Sequence, residues 1–414
     1  MRILWVSDSP LVPSSYGLQT HELVTRLIDV GHEIRVLGAT YVGAPLQRGN
    51  YTVVGGPVVS HGTENLLNHV LNYKPDIVVT FKDVFAYQED VLRRLPVPWC
   101  PIIPIDTEPL GVETRQRLRF ATQPVAITQN GQALLRDAGV HSLYAPLGID
   151  TKFFTPGNKQ ESRERLNLPP EALVFGFVGA NQSWPSRKSL DGIITAWAAF
   201  LEAVPDAVLY LHTDASPQAG GINVDMIVQL MGIPAKNLRV TSRFEYGVGV
   251  DAEFVRDIYR ASDILLNPAM GEGFGLPVVE AQACGTPVIT NNFTAMRETT
   301  FSGLRLDSTD RMVGDLMVAN IGGFRFRPNT RTLFEAMLWT HEQKQAGTLE
   351  TKTAREGAKR YDWKVVTPKW ITVFEEIENL ILEGGIDSEY RQFVRENAER
   401  LERTGDARPS VLDS

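Results

Sequence analysis

The stretch "GEGFGLPVVEAQACGTPVIT" (residues 271–290) sets one glutamate, Glu272, inside a turn of three glycines and a second, Glu280, eight residues on. It follows "DILLNP" (263–268), an apolar run of strand length, and ends in another, "TPVIT" (286–290). Between them "LPVVEAQAC" reads as a short helix, with Pro277 suited to its first turn and Gly285 to its C′ position. The glycine turn therefore falls at the carboxyl end of a parallel strand and the N-terminus of a helix. Open α/β sheets bind ligands there, and free backbone N–H groups attract phosphate or sugar oxygens.

An ionised carboxylate accepts hydrogen bonds from vicinal diols and repels free phosphate. Glu272 and Glu280 thus suit a ligand with two hydroxyl-rich ends and an anionic middle, the layout of a nucleotide sugar. The bland alternative is a surface turn followed by a helix with a dipole-favourable glutamate. A second stretch points the same way. Strand "VFGFVG" (174–179) leads through "ANQSWPSRKSLDG" into a helix, placing Arg187 and Lys188 near its N-terminal end. The macrodipole does not favour cations there, whereas a bound diphosphate would explain them.

Around these stretches the chain alternates short apolar runs with helical patterns. One series runs through "RILWVSD" (2–8), "EIRVLG" (33–38), "TVVGG" (52–56), "DIVVTF" (76–81), "PIIPI" (101–105), "VAIT" (125–128) and "SLYAP" (142–146). "PLGIDTKFFTPGNKQ" (146–160) breaks the pattern as a linker. A second series follows at "ALVFGFVG" (172–179), "AVLYLHT" (207–213), "NLRVTS" (237–242) and the two strands flanking the opening stretch. Two successive βαβ series predict an α/β protein of two Rossmann-like, doubly wound parallel-sheet domains facing a cleft. The expected boundaries are 1–148, a linker at 149–171, a second domain at 172–362 and C-terminal helices at 363–403 packing on the body. The pattern "DSEYRQFVRENAERLE" (387–402) reads as one of those helices, and residues 404–414 read as a disordered tail.

Composition narrows the class. The 414 residues are 43% hydrophobic and 22% charged, with a net charge of −8, which argues against a general nucleic-acid or membrane-surface binder. Cys100 and Cys284 sit in apolar surroundings and read as buried small hydrophobes in a reducing compartment. "MRILWVSDSP" is too short and too quickly polar for a signal peptide, and no apolar run reaches spanning length, so a cytoplasmic protein is expected.

Taken together, "GEGFGLPVVEAQACGTPVIT", "PLGIDTKFFTP", "GFVGANQSWPSRKSLDGIITAWAAF" and "RYDWKVVTPKWITVFEEI" resemble the retaining GT-B glycosyltransferases of the family 4 type, with their E-x7-E motif. The likeness covers nearly the whole second domain and, more loosely, "GLQTHELVTRLIDVGHEIRVL" in the first. It implies that Glu272 holds donor-sugar hydroxyls beside the amides of Gly273, Phe274 and Gly275. It further implies that Glu280 holds the ribose, that Arg187 and Lys188 hold the diphosphate, and that Ser242 and Arg243 border the base. Gly17, in the first-domain loop, would let backbone approach phosphates or acceptor. Asp106, in "PIDTEPLG", stands where the family often has a histidine, and Ala180 and Asn181 stand where it often has an arginine.

Such a transfer builds charge on a diphosphate leaving group, which fixed cations and helix-end amides stabilise. The chain has no D-x-D, H-E-x-x-H or clustered Cys/His pattern, so a metal-independent reaction without cofactor is expected. Asp106 would orient donor or acceptor, or else simply cap the turn after its strand. The acceptor would sit on the first domain and is left open: glycan, lipid-linked, small molecule or modified nucleic acid. Arg115 and Arg119 share a helical face, and Tyr16, Lys82 and Tyr87 are placed where they could border the cleft. Three other readings stay open. One is a nucleotide-sugar epimerase of the same shape, and another a non-catalytic nucleotide-sugar binder. The third, an NAD-dependent dehydrogenase, is opposed by the absence of G-x-G-x-x-G after the first strand.

Overall fold

The apolar runs form two separate open sheets in the computed structural model, which describes residues 1–39, 41–55, 63, 65–218 and 220–383. The first sheet contains β1 (Arg2–Asp8), β2 (Glu33–Ala39), β3 (Leu46–Arg48), β4 (Tyr51–Gly55), β5 (Ile77–Phe81), β6 (Trp99–Ile103), β7 (Val125–Ala126) and β8 (Leu143–Tyr144). Their order is β3-β4-β2-β1-β5-β6-β7-β8, parallel throughout except for the edge pair β3–β4. The second sheet contains β9 (Val174–Val178), β10 (Val208–His212), β11 (Leu238–Val240), β12 (Ile264–Asn267), β13 (Val288–Asn291) and β14 (Gly303–Leu306). All its pairs are parallel, in the order β11-β10-β9-β12-β13-β14. That is the doubly wound order with its reversal between β9 and β12, and the first sheet reverses likewise between β1 and β5. Helices cover the sheets, which is why strands such as β5, β6 and β9 are buried along their whole length.

A hairpin that the sequence pattern did not signal follows the second sheet: β15 (Gly314–Ala319) pairs antiparallel with β16 (Gly323–Pro328). Its far end lies against the first half, where Glu108 and Phe324 exchange two backbone hydrogen bonds of 3.1 and 3.0 Å. The strand β14 was also unforeseen, its "GLRL" being too short and too exposed to stand out.

The segment after β8 is fixed rather than loose. Its helix Lys159–Arg165 docks through Arg163 and Lys159 onto Asp263, which also receives Lys344 and the backbone N–H of Val174. Burial opposes ionisation of Asp263, but Lys159 and Lys344 hold its carboxyl below the ordinary range. After the hairpin come the helices Thr330–Ala346, Lys352–Ala358 and Trp363–Glu383. The last crosses back to the first sheet, where Trp370, Phe374 and Ile377 join Ile3, Trp5 and Leu23 in one buried cluster. Trp5 and Phe374 stack with ring centroids 6.4 Å apart, and Trp370 Nε1 donates to the Pro146 carbonyl at 2.8 Å. The expected helix at 387–402 and the tail at 404–414 lie outside the described residues.

Because Trp370 is 1% exposed and fills the seam between the helix Trp363–Glu383 and the first sheet, Trp370→Ala should cost about 3–5 kcal/mol. Urea unfolding of the full chain, followed by its midpoint at constant slope, measures the loss.

Candidate active site

Two loops of the second sheet leave from either side of its reversal: residues 179–189 after β9 and 268–275 after β12. They bring a cation pair to a carboxylate. Lys188 Nζ donates directly to Glu272 Oε1, and both side chains are buried. Arg187 Nη1 donates to the Gly271 carbonyl at 2.7 Å and lies 3.6 Å from Glu272 Oε2. Burial alone would push the Glu272 carboxyl up, yet Lys188 and Arg187 outweigh it and hold it below its usual range. The Glu272 backbone N–H donates to Thr294 Oγ1 at 3.0 Å. Thr294 holds that position at φ 48°, a left-handed conformation that a β-branched residue seldom adopts.

The glycines of this turn have structural reasons as well. A Cβ on Gly271 would strike the Asp106 carbonyl, and one on Gly273 would strike Pro104, so the turn is pressed against the loop after β6 in the first half. Gly275 has φ +85° and begins the helix Leu276–Ala283 without a side-chain cap. Phe274 turns away from the cleft into the core, edge-on to Tyr361 at 5.2 Å.

The reversal in the first sheet faces this turn. Lys82, just after β5, pairs with Asp8 at the end of β1, and Asp8 also accepts from Ser14 at 3.0 Å. Beside them Tyr16 donates to Asp83 at 3.2 Å. Burial, then the nearby Asp106 charge, raise the Asp83 carboxyl to about 6. Asp106 Oδ2 accepts from Arg325 Nη2 at 2.7 Å and stands 3.7 Å from Arg187 Nη1. Asp8, Asp83, Thr294 and Arg325 were absent from the sequence-level list. Asp8 and Asp83 had a usable signal, since each sits at the end of a parallel strand beside a reversal. Arg325 had none, because its approach depends on the hairpin.

Residues 172–319 match the family model described as glycosyl transferases group 1. That matched stretch, a little over a third of the chain, is similar to a glycosyl transferases group 1 domain. It is 36% identical over 149 residues to the D-inositol 3-phosphate glycosyltransferase of Actinosynnema mirum, which is 36% of this chain and 34% of that protein. A further D-inositol 3-phosphate glycosyltransferase, from Rhodococcus jostii, is 32% identical over 170 residues, 40% of this chain and 36% of that one. The chain thus spans about a third of the length of these curated relatives. Sucrose-phosphate synthase from Thermosynechococcus elongatus superposes with TM-score 0.70 at 16% identity, covering 91% of this chain and 99% of its own. Anabaena HepE, solved with UDP-glucose, superposes with TM-score 0.64 at 14% identity, covering 92% and 100%. The chain has the GT-B fold, as expected.

Within the matched stretch, Glu280 lies one helical turn beyond the glycines and accepts from Tyr259 Oη at 2.7 Å. Ser242 caps the helix Arg243–Val248 in a reciprocal capping box with Glu245, and Arg243 is exposed and paired with Asp225. Both lie just past β11, on the same carboxyl edge as Glu272 but at the far side of the sheet. In the first half, Gly17 is not in a loop but in the first turn of the helix Ser15–Asp29, its N–H given to Ser14 Oγ. A Cβ there would meet the Val12 and Ser9 carbonyls at 2.5 and 2.6 Å, so the loop itself requires the glycine. Tyr87 is a core residue, 1% exposed and donating to the Val6 carbonyl at 3.3 Å. Arg115 and Arg119 line an outer groove with His141 that contains none of the cleft carboxylates. Cys100 and Cys284 are free and buried, and burial pushes each thiol up to about 12. Among the described residues no helix is long and apolar enough to cross a membrane.

Burial raises the Glu280 carboxyl from 4.5 to about 7, against the opposing Tyr259 hydrogen bond. A raised carboxyl favours folding while it stays protonated. Its contribution is therefore complete below about pH 4.5 and is lost as pH rises through about 7. Glu280→Gln, which keeps a neutral side chain, should match the parent protein at pH 4.5 and exceed its stability at pH 8. Urea midpoints at the two pH values give the difference.

Proposed function

We propose that the chain is a retaining, metal-independent glycosyltransferase that moves a sugar from a nucleoside-diphosphate sugar to an acceptor hydroxyl. The observation that carries this reading is the convergence of Glu272, Lys188 and Arg187 at the reversal of the sheet in the stretch similar to a glycosyl transferases group 1 domain. The names of the curated relatives and the UDP-glucose complex of HepE support a nucleotide-sugar donor.

In this reading the donor replaces contacts that the side chains now make with one another. Sugar hydroxyls donate to Glu272, while the diphosphate takes Lys188 and Arg187 as counter-charges. Glu280 accepts from the ribose, and the base lies toward Ser242 and Arg243. The acceptor oxygen attacks from the face that the leaving phosphate departs. The sugar–phosphate C–O bond breaks as the new C–O bond forms, and the acceptor's proton passes to the leaving phosphate oxygen. Arg187 and Lys188 stabilise the charge developing there, the role a metal ion plays in other transferases. Asp106, reaching the cleft from the first half, orients the reacting hydroxyl. The acceptor class is that left open by the sequence, and its place is the first-half wall around Asp83 and Tyr16.

Nucleotide release from UDP-, GDP-, ADP- and TDP-linked sugars tests the reading directly. One donor should be turned over, and Glu272→Gln should lower that turnover by about 100-fold or more, with the far-UV spectrum unchanged. Full turnover by the variant would sink the assignment, and an isomeric nucleotide sugar as product would replace transfer with epimerisation. Activity should persist in excess EDTA; loss restored by magnesium or manganese would overturn the metal-free mechanism.

A further inference from the structure

The β15–β16 hairpin is anchored at both ends, and one of its side chains is left with unused donors between them. At its base the Phe326 N–H donates to the Met270 carbonyl at 3.3 Å, and Asn291 Nδ2 donates to the Phe326 carbonyl at 2.7 Å. The Phe326 ring packs edge-on to Phe293 at 5.1 Å, and Arg327 pairs with Asp191 at 2.6 Å. At the tip, Phe324 and Ile321 bond to the backbone of Glu108 and Glu113. Arg325 lies between these anchors and points into the cleft beside the Glu272 turn.

The Arg325 guanidinium meets Asp106 Oδ2 through Nη2, while its buried Nε has no hydrogen-bond partner among the described residues. A guanidinium has five N–H donors in a rigid fork suited to carboxylate or phosphate. Arg187 Nη1 stands 3.7 Å from the same Asp106 oxygen. Two guanidinium groups thus share a single carboxylate oxygen, while Lys188 is taken by Glu272. A buried donor left unpaired is costly, and phosphoryl oxygens are the acceptors that satisfy a fork and balance a second cation together.

We propose that Arg325 is a phosphate-binding residue of the cleft, held on Asp106 in this structure and turned onto phosphoryl oxygens of a bound substrate. This rests on reading the cleft as a nucleotide-sugar site and adds to it a third cation, supplied by the hairpin rather than by either sheet. The phosphate belongs either to the donor's diphosphate or to a phosphorylated acceptor, and both present the same chemistry to the guanidinium.

Titration calorimetry of the full chain with UDP, GDP, ADP and the corresponding nucleosides separates the sources. Arg325→Gln should weaken the preferred nucleoside diphosphate by about 10- to 100-fold, the worth of one charge-assisted hydrogen-bond set, and leave the nucleoside unchanged. Arg325→Lys, which keeps the charge but loses the fork, should fall between. That pattern assigns Arg325 to the donor diphosphate. Unchanged diphosphate binding with a KM raised only for a phosphorylated acceptor, and not for its dephosphorylated counterpart, assigns it to the acceptor. Equal losses for nucleoside and diphosphate would mark a structural role and overturn the proposal, as would parent-like values for every ligand. If the unaltered chain binds none of the nucleoside diphosphates, the reading of the cleft itself falls, and this proposal falls with it.

Discussion

A carboxylate can be kept ionised between two halves of a protein only if cations are brought to it, because desolvation otherwise drives it to the neutral acid. Glu272 is under that constraint, and much of the architecture follows from it. Its turn leaves β12, and its cations leave β9, so those two strands must be neighbours with their following loops side by side. The reversal of strand order supplies that adjacency. Thr294, from beyond β13, then fixes the backbone of the turn, and its strained φ belongs with a geometry that the surroundings over-determine.

The first half meets the same turn with its own reversal. Asp8 and Lys82 neutralise one another there, while Asp83 and Asp106 leave an acidic wall that Tyr16, Arg187 and Arg325 moderate. Contact between the halves is close enough that Gly271 and Gly273 touch the backbone and ring of residues 104–106. The glycine-rich turn therefore answers two demands at once. It frees helix-end amides beside Glu272, and it lets the halves approach to van der Waals distance.

Two long-range elements hold the halves in this relation. The helix Trp363–Glu383 carries Trp370 and Phe374 from the second half back onto the first sheet, a mainly apolar seam. The hairpin crosses in the other direction and is polar where it arrives, through two backbone bonds to Glu108 and the Arg325–Asp106 pair. The polar crossing lies beside the Glu272 turn, and the apolar cluster extends to Phe274 and Leu276 beneath that turn.

Most strands of both sheets were legible because parallel strands covered on both faces are short, mainly apolar and bounded by turn residues; β5, β9, β12 and β13, buried along their whole length, are of this kind. Glu272, Arg187 and Lys188 were legible for a related reason, standing where local charge contradicts local structure: a carboxylate among glycines, and cations at a helix N-terminus. β3, β14 and the hairpin were missed because their half-exposed, mixed residues leave no period in the sequence. Gly17 was read as a loop residue because its helix begins two residues earlier than the apolar pattern does. By itself, then, the sequence determined two doubly wound sheets and the ion set of one cleft wall, since both are written within a few consecutive residues. The assembly of the opposite wall around Asp8 and Asp83, the docking of the helix Trp363–Glu383 onto the first sheet and the delivery of Arg325 to Asp106 were decided only by the tertiary structure. They depend on which distant loops face each other, and that is fixed by strand order and by packing between the halves rather than by any local pattern.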